Sequence, residues 1–149
     1  MEDDSIISVY TAELIALAEK SDSITRLPNP DASARAVSPV CGSEVTVDFM
    51  LQGSKILQVG FASEACALTR AVLAVLYDAA PGKTGDDVLH AGKALKSMLE
   101  NGGAAPTGDW EKLGLLQAVR HYPSRHNALL LPFEATARAL ALPARADAL

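Results

Sequence analysis

Val40-Cys41-Gly42-Ser43-Glu44-Val45-Thr46-Val47-Asp48-Phe49-Met50-Leu51-Gln52-Gly53-Ser54-Lys55-Ile56-Leu57-Gln58-Val59-Gly60-Phe61-Ala62-Ser63-Glu64-Ala65-Cys66 decides how the rest of the chain is read. Val45, Val47 and Phe49 alternate with Glu44, Thr46 and Asp48, the period of two that belongs to a half-buried strand. Gln52-Gly53-Ser54 has the composition of a tight turn, and Ile56, Leu57, Val59 and Phe61 form a second strand through about Ala62. Together the two runs predict a hairpin. Cys41 and Cys66, the only two cysteines, bracket it at the boundaries of regular elements. A thiol at such an edge is placed to hold a ligand or a sulfur-transfer group. A free Cys is equally at home as a small buried apolar side chain, and spacing alone leaves both readings open.

Outward from the hairpin, the N-terminal side offers a short amphipathic helix from about Thr11 to Lys20, with Leu14, Leu17 and Ala18 in its stripe and Thr11 as N-cap. Ser21 to Ala34, marked by Pro28-Asn29-Pro30-Asp31, reads as an irregular connection. Arg35 to Val40 is expected to be a short edge strand, because Pro39 cannot donate to a ladder. On the C-terminal side, Cys66 to Tyr77 is apolar on nearly every side, as befits a central buried helix, and Pro81-Gly82 ends it. Thr84 caps a helix through about Glu100, with Val88, Ala91, Leu95 and Met98 inward and Asn101-Gly102-Gly103 as its stop. Asp109 is expected to cap a short helix carrying Trp110, Leu113, Leu116 and Val119. A polar turn, His121 to Asn127, leads to a last helix over Ala128–Leu140 with Pro132 in or near its first turn. The pattern predicts an α+β fold: a small antiparallel three-stranded sheet with helices packed on one face, in one domain spanning 1–149 whose ends, about 1–8 and 142–149, are loosely held.

The 149 residues suffice for one domain with a proper core. Hydrophobic residues at 49% against 21% charged indicate a soluble globular chain. A net charge of -5 with no dense basic run disfavours nucleic-acid binding. The acidic start lacks the features of a signal peptide, and no apolar run is long enough to span a bilayer. The expectation is a cytoplasmic protein with no membrane attachment, where two cysteines serve as thiols or metal ligands in preference to a disulfide.

The order of these pieces resembles the IscU/SufU/NifU-type iron–sulfur cluster scaffold family over roughly Tyr10 to Leu140. The family's opening helix and Asn-Pro element correspond to Tyr10–Ala18 and Asn29-Pro30. Its Cys-Gly-Asp before a hairpin corresponds to Cys41-Gly42 with Ser43 in place of Asp. Its Gly-Cys or similar pair opening an apolar helix corresponds to Ala65-Cys66. Its Pro-x-Arg/Lys-x-x-Cys segment corresponds to Pro123-Ser124-Arg125-His126-Asn127-Ala128, so the third family cysteine falls on Ala128. The resemblance implies an iron–sulfur cluster assembly scaffold or sulfur acceptor, a non-enzymatic carrier. It would bind an iron–sulfur cluster or zinc through Cys41 and Cys66 and work with a cysteine desulfurase and the assembly machinery. A homo-oligomer is left open.

Thiolates are the natural ligands of both iron–sulfur clusters and zinc, and four-coordination needs more than two of them. Serine is a poor substitute at neutral pH and alanine offers no donor. His126, two residues before the missing cysteine, is the candidate to complete a Cys41/Cys66/His126 metal site; a surface histidine in a polar loop is the plain alternative. His121 is a weaker candidate of the same kind, and His90 is expected to face solvent. Cys66 has a second role open to it. A helix N-terminus favours the thiolate, and Arg70 one turn on could add a cation, which suits a persulfide acceptor. Arg70 reads equally well as a solvated edge or a docking residue. An adaptor of scaffold fold that has lost metal binding, and a zinc or thiol-redox module, remain the alternative functions. No nucleophile elbow, phosphate-binding glycine loop or carboxylate pair supports an enzyme of another class.

Overall fold

The computed structural model describes residues 9–39 and 42–141; Cys41 and both expected loose ends lie outside the described residues. Helix α1 (Ala12–Ser21) is followed by strands β1 (Ala32–Val37), β2 (Glu44–Gln52) and β3 (Lys55–Glu64). Helices α2 (Ala67–Ala79) and α3 (Gly85–Asn101) come next, then a 3-10 helix (Gly108–His121), a 3-10 turn (Pro123–Arg125) and helix α4 (His126–Ala139). The strands form one antiparallel sheet in the order β1-β2-β3. The predicted α+β fold with a three-stranded sheet is the one observed. Among the described residues no helix is long and apolar enough to cross a membrane.

The hairpin follows from its sequence. Gln52 pairs with Lys55, so the turn is the two residues Gly53-Ser54, with Gly53 at φ 60°, a value that suits glycine at the first turn position. Val45, Val47, Phe49, Ile56, Val59 and Phe61 are all buried on the inner face. Helix α4 lies across β1 and β2, and α2 meets β3, with α1 packed on α2 and the 3-10 helix on α2 and α3. Thr11 caps α1 through the Leu14 amide. Thr84 and Asp87 exchange the two hydrogen bonds of a capping box at the start of α3.

Four local expectations need correction. Strand β1 begins at Ala32, inside the stretch expected to be irregular, because Ala32 to Val37 pairs continuously with Phe49 to Glu44. Asp48, on the predicted solvent face of β2, is fully buried. The connection before β1 folds over it: Arg26 donates Nε and Nη2 to the two carboxylate oxygens at 2.8 and 2.9 Å, Ser33 Oγ donates at 2.6 Å and the Leu27 amide at 3.0 Å. Trp110, Leu113, Leu116 and Val119, expected in a short helix capped by Asp109, lie in a 14-residue 3-10 helix that follows Thr107 and has no side-chain cap. Their strict spacing of three is the reason: in a helix of three residues per turn, i and i+3 eclipse, so all four fall on one buried edge.

The fourth correction concerns Pro132. Helix α4 starts at His126, so Pro132 is interior, not in the first turn. Proline has no N–H for the carbonyl four residues back, here Ala128. The Thr69 hydroxyl on α2 supplies the missing donor, at 3.1 Å from the Ala128 carbonyl oxygen. Thr69 and Ala128 are both buried, so without this bond the carbonyl would be an orphan in the core.

Candidate functional site

A cavity of about 320 Å³ opens where the hairpin ends and α2 begins, lined by Gly42, Ser43, Glu64, Ala65, Cys66, Ser124, Arg125 and Ala128. Three chain segments meet here. Ser43 leads into β2, Cys66 is the N-cap of α2, and Arg125 and Ala128 flank the start of α4. Antiparallel pairing of Glu44 with Glu64 holds the first two segments side by side. The Thr69–Ala128 hydrogen bond ties the third to the second. Cys66 is half-buried and is a free thiol. Its side chain makes no capping hydrogen bond to the helix, and its Sγ lies 3.5 Å from Thr69 Oγ1.

The cavity thus gathers Ser43, Cys66 and Ala128, the positions singled out in the sequence, around one space. Cys41, adjacent to Gly42 in sequence, lies outside the described residues. His126 is placed elsewhere: its Nε2 donates to the Val119 carbonyl at 3.0 Å, and its ring lines a separate cavity of about 500 Å³ with Leu99, Glu100, Arg120 and Asn127. The carbonyl can only accept, so Nε2 carries the proton. On a helix, a residue two before Ala128 points to another side; the expected role of His126 beside Cys66 overlooked this. His121 and His90 are exposed. Arg70 also turns away, donating to the Ala18 carbonyl at 3.4 Å and to Asp22 at 3.0 Å, so it braces the end of α1 and adds no charge to the Cys66 cavity.

Arg125 brings the cation to this cavity, and Tyr10, just ahead of α1, stands by it. Burial raises the Tyr10 hydroxyl above its ordinary range, the neighbouring Cys66 adds to the rise and Arg125 opposes it. Arg125 stands in the Pro-x-Arg of the Pro123–Ala128 segment, a position that was given no site role in the sequence. Tyr10 and Glu64 carried no site role in the sequence.

The donor set bears on what the site can hold. Among the described residues no three His, Cys, Asp or Glu side chains come together closely enough for a metal ion. The cavity offers one thiol, one carboxylate at Glu64, hydroxyls and a guanidinium, and nothing from Ala128. A guanidinium repels a cation and attracts anionic sulfur. The described side chains do not fit a resident metal.

The fold has solved counterparts. The N-terminal part of a nitrogen-fixing NifU-like protein from Brucella abortus is 32% identical, with a TM-score of 0.85 over 91% of this chain and 94% of that one. A protein from the thermophile Fervidobacterium islandicum AW-1, described as an iron–sulfur cluster assembly scaffold for the SUF system, is 25% identical, with a TM-score of 0.80 over 89% of this chain and 97% of that one. No protein-family model and no curated protein matches the sequence. The chain belongs to the fold family of NifU-like N-terminal domains.

Proposed function

We propose that this protein is a sulfur acceptor in iron–sulfur cluster assembly, receiving sulfur on Cys66 from the persulfide of a cysteine desulfurase. The observation that carries the reading is the meeting of Ser43, Cys66, Arg125 and Ala128 around one cavity at the start of α2, in a chain whose structural relatives include a protein described as a cluster assembly scaffold. In the transfer, the Cys66 thiol loses its proton and the sulfur attacks the outer sulfur of the donor persulfide. A new S–S bond forms at Cys66, the donor S–S bond breaks, and the donor cysteine leaves as a thiolate that takes up a proton. No net oxidation or reduction occurs. Arg125 neutralises the anionic outer sulfur, and the first-turn amides of α2 lie on the same side of the charge balance. The protein is a carrier, not an enzyme: it is loaded by one partner and unloaded by another. Cys41, outside the described residues, would serve as a second thiol in the same role. An iron–sulfur cluster is cargo in this reading, assembled with ligands beyond the described side chains.

The test is incubation of the full chain with a cysteine desulfurase and L-cysteine, followed by peptide-resolved mass spectrometry. A gain of one sulfur on the Cys66 peptide, lost in Cys66→Ser, supports the reading. A Cys66 peptide that stays unmodified while the desulfurase turns over refutes it. Ser43 and Ala128 favour a second reading, a scaffold-fold adaptor without metal binding. Desulfurase binding that survives Cys41→Ser/Cys66→Ser, with no iron or acid-labile sulfide in the anaerobically purified protein, would select it.

A further inference from the structure

We infer that Thr69 is a positioning residue for Cys66, and that Pro132, on a different helix, dictates how it acts. Pro132 leaves the buried Ala128 carbonyl without the amide an α-helix would supply. The Thr69 hydroxyl fills that gap at 3.1 Å, and a hydroxyl has one proton. With that proton committed to the carbonyl, Thr69 Oγ1 presents only lone pairs to the Cys66 sulfur 3.5 Å away. The Cys66–Thr69 contact therefore has one direction: the thiol donates and the hydroxyl accepts. Thr69 supports a protonated sulfur and gives no hydrogen bond to an anionic one unless it abandons a carbonyl sealed in the core. Pro132 thus acts on a cysteine that it does not touch, by consuming the donor that Thr69 holds beside it.

The other groups facing Cys66 are Tyr10 ahead of α1, Glu64 at the end of β3 and Arg125 before α4. They act on the sulfur through charge and burial, whereas Thr69 acts through the direction of one hydrogen bond. The arrangement of Thr69 is accordingly a separate control on the sulfur. It rests on the reading of Cys66 as the working thiol, and it holds the cysteine back until a partner rearranges α4 or supplies its own donor.

The experiment is a cycle of Pro132→Ala, Thr69→Val and the double variant, with iodoacetamide alkylation of Cys66 followed in the full chain by peptide-resolved mass spectrometry across pH. The neutral electrophile needs no desulfurase, so a failure of sulfur transfer and a failure of this inference are told apart. Pro132→Ala restores the amide, releases the Thr69 proton toward sulfur, and is expected to raise the alkylation rate at pH 7 by about three- to tenfold, the range one net hydrogen bond covers, with its pH profile moved to lower pH. The gain is expected to vanish when Thr69 is replaced by valine. An unchanged rate in Pro132→Ala, or a gain of equal size without the hydroxyl, overturns the proposal. Thermal melting supplies the second readout. Thr69→Val should lower Tm in the natural background and leave it nearly unchanged in the Pro132→Ala background, where an amide satisfies the carbonyl. Equal losses in both backgrounds overturn it as well.

Discussion

Replacing Asp48 removes the anchor of the connection that covers the outer face of the sheet. Its carboxylate accepts four hydrogen bonds, two from Arg26 and one each from Ser33 and the Leu27 amide, and is 0% exposed. Loss of one partner of a fully buried ion pair costs about 3–5 kcal/mol. Arg26 is 50% exposed and returns to water when the carboxylate is gone, so its share is discounted. The Leu27 amide remains without an acceptor, at about 1–3 kcal/mol. Together these set a loss of about 2–4 kcal/mol for Asp48→Ala at pH 7. Urea unfolding followed by circular dichroism measures it, with the slope unchanged if the fold is intact. The pH dependence has a definite sign. Burial pushes the Asp48 carboxyl up, but the hydrogen bonds of Arg26, Ser33 and Leu27 outweigh it and hold the group below its ordinary range. A depressed carboxyl stabilises the fold fully above its unfolded value, about pH 4, and the contribution fades as pH falls through the folded value. The gap between wild type and Asp48→Asn should therefore shrink as pH is lowered from about 6 toward about 3. A gap constant over that range, or a loss for Asp48→Ala below about 1 kcal/mol, would refute the reasoning.

Other outcomes follow from the same structure. Gly60→Ala places a Cβ 2.7 Å from the Thr25 carbonyl oxygen and 2.8 Å from the Leu27 amide, both backbone atoms, so it should cost about 1–3 kcal/mol in chemical denaturation. Thr84→Ala breaks the capping box of α3 and should cost about 1 kcal/mol at pH 7. The Thr84 backbone and hydroxyl hold the Asp87 carboxyl low, so part of this cap is lost below about pH 4. Arg125→Ala should slow sulfur loading of Cys66 by about tenfold, with Arg125→Lys retaining part of the rate, as quenched mass spectrometry would record. His126→Ala, acting in the other cavity, should leave the same loading rate unchanged.

The first strand of the hairpin was legible because Val45, Val47 and Phe49 face the core as their alternation dictates, whereas the buried Asp48 and the register shift at Met50/Leu51 depart from it. The caps at Thr11 and Thr84 were legible because a hydroxyl ahead of an apolar run has a local purpose. Cys66 at the start of α2 belongs to the same group. Features that depend on distant partners were not. Nothing near Asp48 in sequence announces Arg26, which lies 22 residues away. Nothing near Pro132 announces Thr69, whose hydroxyl closes the gap from another helix. For His126, closeness to Ala128 in sequence suggests closeness in space, although two residues on a helix separate side chains by about 200°. The spacing of Trp110, Leu113, Leu116 and Val119 is visible in the sequence, but a strict period of three resembles an ordinary helix over so few turns.

That period has a mechanical consequence. A 3-10 helix rises about 2.0 Å per residue, so the 14 residues Gly108–His121 reach about 28 Å, where an α-helix of the same length would reach about 21 Å. The segment is a strut, spanning more distance per residue than the α-helices around it, and its far end delivers Tyr122, Arg125 and the start of α4 to their places. Its apolar edge is one residue wide. Deleting a single residue within it would turn everything downstream by about 120° and pull it back by about 2 Å. The core contacts of Trp110 and Leu113 could then be kept only by moving Arg125 and Ala128 away from Cys66. The length of this strut is thus a ruler for the sulfur site, and the chain can tolerate changes of side chain along its exposed edges far better than changes of length.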